Sequence, residues 1–175
     1  MSLDQPAAPE PIRADHDAAT FDSGVPPLDD WLRRRALPNE VAGASRTMVG
    51  CFDGRVVGYY SLAAGAVAHS VATPRVRRNM PDPIPAVVLG RLAIDLTWQG
   101  RGLGGDLLQD AIRRTAGAAN TIGVRVLVLH ALTDAAKTFY ERFGFRTSPL
   151  EPMTMMLTIE QLRPQLSSLA PDMNG

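Results

Sequence analysis

Four glycines stand at the entrance of a helix-like stretch, WQGRGLGGDLLQDA, residues 98–111. Gly100, Gly102 and Gly104 alternate with larger residues, and Gly105 follows directly. Glycine costs about 1 kcal/mol relative to alanine inside a helix, so this use of it needs a reason. The first amides of a helix are unpaired and its dipole is positive there, and glycines let that backbone approach a phosphate closely. The pattern indicates phosphate binding, and a plain tight turn is the alternative that the glycines alone leave open.

Two common nucleotide-binding patterns do not fit this loop. The glycine loop is the third or fourth strand–helix junction of the chain rather than the first. The next strand, residues 124–129, is apolar apart from Arg125 and offers no acid for a ribose. The chain also has no G-K-[ST] after the glycines, which a nucleoside triphosphate site would need. The ligand is therefore expected to carry phosphate of another type.

Two further residues have side chains suited to proton transfer. Tyr140 lies in the segment FYERFGF, residues 139–145, and a phenol there can protonate a departing group. The alternative is a core aromatic on a short amphipathic helix. His130 ends a predicted central strand, where catalytic groups often lie, and is either a base or a structural histidine.

Arginines are concentrated in the centre of the chain. Phosphates of a nucleic acid are bound by such groups, and a solvated arginine face is the alternative. The candidates for substrate binding are Arg46, Arg75, Arg77, Arg78 and Arg91.

Hydrophobic periodicity predicts the elements that position these residues. The order is helix, hairpin, strand, helix, strand, helix, strand, with the hairpin turn at Asp53-Gly54 and a loop over residues 69–85. A βαβ crossover lies in the middle of this order. The fold class is therefore α/β (α+β), a mixed central sheet of about six to seven strands flanked by about four helices.

Composition restricts the class of protein. The 175 residues fit one domain, the eighteen basic and eighteen acidic residues cancel, and the single cysteine, Cys51, excludes an intramolecular disulfide. No leader and no apolar run long enough to span a membrane is seen, so we expect a cytoplasmic protein. The predicted domains are a disordered tail over residues 1–10, a single domain over residues 11–163 and a tail over residues 164–175.

The glycine loop and the tyrosine segment together resemble the GNAT N-acetyltransferases. Gln99 to Gly104 is similar to the Q/R-x-x-G-x-G/A signature of that family, and FYERFGF resembles its helix-four block. The resemblance implies acetyl coenzyme A as cosubstrate, no metal, and Tyr140 as the catalytic residue facing the coenzyme sulfur. It also implies a coenzyme-binding set, which comprises Leu92, Ala93, Ile94, Gln99, Gly100, Arg101, Gly102, Leu103, Gly104 and Gly105.

A narrower resemblance covers nearly the whole chain after residue 20. SGVPPLDDWLRRRA, GASRT, GYYSLAAGAVAH, RNMPDPIP and LGRLAID resemble the TacT-like GNAT toxins of bacterial type II toxin–antitoxin systems. The resemblance implies acetylation of the free α-amine of aminoacyl-tRNA, which blocks translation. It also implies a ribbon-helix-helix antitoxin, a repressor complex and a homodimer. The alternative function is a GNAT acetyltransferase of a small-molecule or protein amine.

Overall fold

The computed structural model describes residues 4–160, and these divide into two compact units. The first unit contains residues 4–63 and 89–111, and the second contains residues 64–88 and 112–160. The elements in chain order are β1 (Glu10–Pro11), α1 (Pro26–Arg34), α2 (Ala36–Ala42), β2 (Arg46–Phe52), β3 (Arg55–Val67), α3 (Pro74–Arg77), β4 (Ile84–Ile94), a 3-10 helix (Leu96–Trp98), α4 (Leu103–Ala118), β5 (Val126–His130), α5 (Asp134–Glu141), β6 (Arg146–Thr147) and β7 (Thr154–Thr158).

The strands form one mixed seven-stranded sheet in the order β1-β2-β3-β4-β5-β7-β6. The pairs β1–β2, β2–β3, β5–β7 and β6–β7 are antiparallel. β4 and β5 are neighbours in the sheet and are joined through α4, as the predicted crossover requires. The predicted fold class is confirmed, with five α-helices rather than about four among residues 4–160. In that same part of the chain, no helix combines the length and apolar character that crossing a membrane needs.

The first unit is built on the predicted hairpin. Asp53 and Gly54 both have positive φ, 53° and 76°, which is the backbone that a tight hairpin turn demands. Their turn brings β2 and β3 together with Phe52 opposite Arg55. α1 buries Leu32 against the core beside Tyr59, which is itself completely buried.

The second unit has β5 and β7 at its centre. Four of the five residues of β5 and all five of β7 are buried, and the apolar stretches at residues 126–129 and 155–157 are continuous rather than alternating. Phe145 is completely buried in this unit, as are Met155 and Leu157 of β7.

Four short elements differ from the sequence prediction. α2 and the two-residue strands β1 and β6 are additional, and α3 lies inside the segment predicted as a loop. α3 begins at Pro74 after Thr73, whose hydroxyl oxygen accepts from the Val76 amide at 3.3 Å. Within the predicted N-terminal tail, the Ala7 amide donates to the Cys51 carbonyl at 2.8 Å. The predicted tail over residues 164–175 lies outside the described residues.

We predict that Gly58→Ala destabilises the protein. A carbon placed at Cβ of Gly58 would lie 2.9 Å from Leu107 Cδ1, 3.0 Å from Ile94 Cδ1 and 3.3 Å from Leu103 Cδ2. Overpacking of this kind costs about 1–3 kcal/mol. The free energy of unfolding in urea measures it, with Gly90→Ala as the control because Gly90 has open space around it. Equal stability of the two variants would contradict the close packing of α4 on β3.

Candidate functional site

The glycine loop forms an open turn at the N-terminus of α4. Gly100 and Gly102 have φ of 80° and 86°, a region that favours glycine, and a Cβ at either position would meet nothing within 4 Å. The amide of Asp106 makes a helical bond to the Gly102 carbonyl at 3.1 Å. The amides that precede it in the helix have no intrahelical acceptor. The loop therefore offers backbone donors, a positive dipole end and free space in one place.

The side chains that flank the glycines are turned toward the protein. Gln99 Nε2 donates to the carbonyl oxygens of Ser23 and Ile94, at 3.0 and 2.9 Å. Both of its amide hydrogens are thereby used, so Gln99 anchors the loop. Arg101 lies over the ring of the buried Trp98, with its Cζ 4.6 Å from the ring centroid.

The end of β4 leads directly into this loop. Ala93 is buried, and Leu92 and Ile94 are partly exposed. The Asp95 amide donates to the Val57 carbonyl at 2.9 Å, which fixes the strand end on β3. Burial raises the pKa of the Asp95 carboxyl, but hydrogen bonds from the Thr97 side chain and the Asp22 and Thr97 amides outweigh it and hold the pKa below its ordinary value. Asp95 is therefore a capping carboxylate.

Tyr140 lies near the end of α5 in an aromatic cluster. Its ring makes edge contacts with Phe139 and Phe145, at centroid distances of 5.2 and 5.7 Å. Burial raises the pKa of the Tyr140 phenol to about 12. The phenol is therefore protonated throughout the physiological range and is able to donate a hydrogen bond or a proton.

The predicted substrate arginines fall into separate places. Arg75 and Arg77 lie on α3 in the second unit and Arg78 follows directly, and all three are exposed. Arg46 and Arg91 belong to the first unit.

The two arginines of the first unit have different surroundings. Arg46 donates to the Glu40 carbonyl at 2.9 Å and remains exposed. Arg91 lies over the Trp31 ring at 4.2 Å, and Trp31 in turn stacks on Tyr59 with centroids 6.0 Å apart. The guanidinium of Arg91 thereby has a cation–π partner that is itself part of a stacked aromatic pair.

The segment that carries Arg75, Arg77 and Arg78 is tied down by residues that were not predicted as functional. His69 Nε2 lies 2.8 Å from the carbonyl oxygens of both Met80 and Pro81, and the His69 amide donates to Asp82. Because both ring contacts are acceptors, Nε2 carries the proton.

A second anchor of this segment is Arg125, which donates to the carbonyls of Arg75 and Val76 at 2.7 and 3.1 Å. The signal available in the sequence was the position of Arg125 as the lone polar residue in an apolar run.

His130 remains exposed at the end of β5. Its Nδ1 lies 3.5 Å from Thr154 Oγ1, the neighbouring residue in the β5–β7 register. Asp134 lies in the first turn of α5, where the helix dipole stabilises an acidic side chain. Helix stability therefore explains an acid at this position.

One group of metal-ligating side chains is also present, formed by Glu10, His16 and Cys51, whose ligand atoms lie within 4.8 Å of one another. His16 Nδ1 accepts from the Arg13 amide at 2.8 Å, so its proton is on Nε2, which donates to Glu10 at 2.7 Å. The His16 bond is the main cause that lowers the pKa of Glu10, and burial raises the pKa of the Cys51 thiol. A cation would have to displace the hydrogen bond between His16 and Glu10 and the proton of the Cys51 thiol. The three side chains therefore fit a structural role.

The loop, the strand that leads into it and the following tyrosine helix define a class of protein. The family model of the acetyltransferase (GNAT) domain matches residues 43–147. The chain belongs to the GNAT acetyltransferase family.

Within that family the chain is similar to toxins. It is 54% identical to a tRNA-acetylating toxin of Mycobacterium tuberculosis (strain ATCC 25618 / H37Rv) over 157 residues, 90% of this chain and 95% of the relative. The solved structure of AtaT complexed with acetyl-methionyl-tRNAfMet superimposes with a TM-score of 0.83 at 26% identity, covering 90% of this chain and 98% of that one.

A second solved structure is a tyrosine-to-phenylalanine mutant of AtaT bound to the C-terminus of the antitoxin AtaR and acetyl-CoA. It has a TM-score of 0.79 at 25% identity and covers 91% of this chain and 97% of that one.

Proposed function

We propose that this chain is a toxin that transfers acetyl from acetyl-CoA to the free α-amine of aminoacyl-tRNA and thereby blocks translation. The observation that carries the proposal is the 54% identity, over 90% of the chain, to a toxin that acetylates tRNA. The structural likeness to AtaT with acetyl-methionyl-tRNAfMet supports the same reaction and the same acceptor. The reaction forms an amide at the α-amine and releases the thiol of coenzyme A.

The coenzyme site that we propose is the glycine loop with the end of β4. The open space at Gly100 and Gly102 and the unpaired first amides of α4 suit a pyrophosphate, which needs donors and close approach. The backbone of Leu92, Ala93 and Ile94 is assigned to the pantetheine arm and the thioester. Of the residues Gln99 to Gly105, Gln99 acts by anchoring the loop, and the amides of the others bind the coenzyme.

Tyr140 is the residue that we assign to proton transfer. Acetyl-CoA supplies an acyl group activated as a thioester. An α-amine titrates near 7.7–8.0, far below a lysine side chain, so a substantial fraction is already neutral at cellular pH and a strong base is not needed. A backbone amide at the strand end stabilises the oxyanion, and the protonated phenol of Tyr140 gives a proton to the departing sulfur.

The tRNA is held by arginines in this proposal. Arg75, Arg77 and Arg78 contact backbone phosphates, and Arg46 and Arg91 contact the substrate as well. Of these, Arg91 has the most fixed position because it lies on Trp31. Charge on these arginines acts locally, although the net charge of the chain is zero.

The remaining parts of the proposal concern organisation and partners. The domain that we propose is the one predicted from the sequence, residues 11–163, of which residues 161–163 lie outside the described residues. The likeness to AtaT bound to the C-terminus of AtaR supports an antitoxin partner, for which we propose a ribbon-helix-helix protein that forms a repressor complex with this chain. The toxin acts as a homodimer in the cytoplasm.

A labelling experiment tests the reaction. Labelled acetyl-CoA is incubated with a charged tRNA pool and with the same pool after mild alkaline deacylation. We expect label only in the charged pool, because deacylation removes the α-amine. Equal label in both pools, or label in polyamines and in neither pool, would favour the acetyltransferase of a small-molecule or protein amine.

We predict that Gly102→Asp lowers acetyl-CoA affinity much more than Gly102→Asn. Both side chains tolerate positive φ better than most and have nearly the same size, so the pair differs mainly in charge. A carboxylate beside the pyrophosphate costs at least about tenfold in affinity through like-charge repulsion. Calorimetry with acetyl-CoA measures both variants, and equal affinities would contradict the loop as the phosphate site.

We predict that Tyr140→Phe lowers kcat by about 10²–10⁴-fold, the usual range for acid catalysis, with unchanged coenzyme affinity. We expect wild-type kcat to rise with pH as the α-amine loses its proton. It then stays level to about pH 10, because the pKa of Tyr140 is raised to about 12 and the phenol keeps its proton. Stopped assays over that pH range measure the profile. Full activity of the variant, with an unchanged unfolding midpoint, would make Tyr140 a packing residue.

A further inference from the structure

The second unit contains a small basic cavity that includes Arg75, already assigned to tRNA, together with lining residues that have no assigned role in binding or catalysis. Its volume is about 310 Å³, at the lower end of ligand-sized pockets. The cationic side chains in its lining are those of Arg75 and Arg146. The lining also includes two threonines, Thr73 and Thr158, and the buried apolar side chains of Val76 and Met156. Among residues 4–160, no acidic residue lines it.

The two arginines of this cavity come from elements far apart in the chain. Arg75 lies on α3, whose carbonyls at Arg75 and Val76 accept hydrogen bonds from Arg125. Arg146 lies on β6, where it pairs in register with Met156 of β7. Because both anchors are backbone contacts, they fix the backbone from which each arginine side chain projects.

The charge balance at the cavity favours an anion. Arg75 Nε is 4.0 Å from Glu160 Oε2, and that carboxylate is shared with Arg125 at 3.4 Å. Arg146 is exposed and forms no ion pair within residues 4–160. One full positive charge of the cavity is therefore uncompensated in the described part of the chain.

We propose that this cavity, called here the Arg75–Arg146 pocket, binds a backbone phosphate of the tRNA substrate. Guanidinium forks are donors suited to the two free oxygens of a phosphodiester, and the hydroxyl of Thr73 lies in the same lining. Arg77 and Arg78 follow on the same segment, so adjacent phosphates of one strand have donors along it. The inference rests on the proposed function. It adds Arg146 as a residue that binds the tRNA backbone without reading its sequence.

The test compares Arg146→Gln with Arg55→Gln. Both changes remove one exposed arginine charge, and Arg55, in the β2–β3 hairpin of the first unit, has no assigned role in binding or catalysis. Initial rates of acetyl transfer are measured at varied charged tRNA, varied acetyl-CoA and several salt concentrations. For Arg146→Gln we expect the KM for tRNA to rise about tenfold with kcat unchanged, as for one charge-assisted contact. The plot of log affinity against log salt should lose about 0.7–0.9 of slope, the value for one phosphate contact.

Each other outcome overturns the proposal in a distinguishable way. The same KM and salt slope in Arg146→Gln and Arg55→Gln would remove the pocket from the tRNA site. A raised KM for acetyl-CoA alone would assign the pocket to a coenzyme phosphate. Unchanged tRNA kinetics with weaker neutralisation by an acidic antitoxin peptide would assign it to the antitoxin. Failure of the wild-type protein to label any charged tRNA would instead refute the proposed function.

Discussion

The first turn of α4 cannot satisfy its own amides, and much of the first unit is organised around that constraint. An anion held by such amides needs a backbone without side chains in the way, which explains the positive φ and the open space at Gly100 and Gly102. It also needs competing side chains to be occupied elsewhere. Gln99 meets this requirement by donating to two backbone carbonyls, those of Ser23 and Ile94.

The position of α4 itself depends on close packing beneath it. Gly58 lets Leu103 and Leu107 approach β3 within van der Waals distance, and Tyr60 donates to Asp110 across the same contact at 2.5 Å. A short, buried hydrogen bond to a carboxylate is directional, whereas apolar packing is not. The two together set both the distance and the rotation of the helix whose first turn bears the loop.

Local signals in the sequence were sufficient for the elements that local chemistry determines. Asp53-Gly54 specifies its own turn, and α4 and β5 carry clear periodic or continuous apolar patterns. β1 and β6 have two residues each, which is too few for a hydrophobic pattern to predict a strand. Each is defined by its pairing with the neighbouring strand. α3 was missed because its four residues are held by Thr73 and Arg125, the second of which is about fifty residues away. For the site, the family resemblance placed Gln99 and Arg101 in the coenzyme-binding set, but only the fold gives the direction in which their side chains point.

The two phosphate-binding regions that we assign use different physical means. The glycine loop presents neutral dipoles, which hold an anion without adding charge to the surface. The segment of Arg75, Arg77 and Arg78 presents full charges, whose attraction for a polyanion acts over about a Debye length and weakens with salt. The net charge of zero is compatible with both, because acidic residues outnumber basic ones by seven to one before Trp31, and arginines outnumber acidic residues by ten to four between residues 33 and 101. In this proposed assignment, backbone geometry binds a small diffusible coenzyme. A large polyanion is attracted by charge and then positioned by arginines whose surroundings include Arg125 and Trp31.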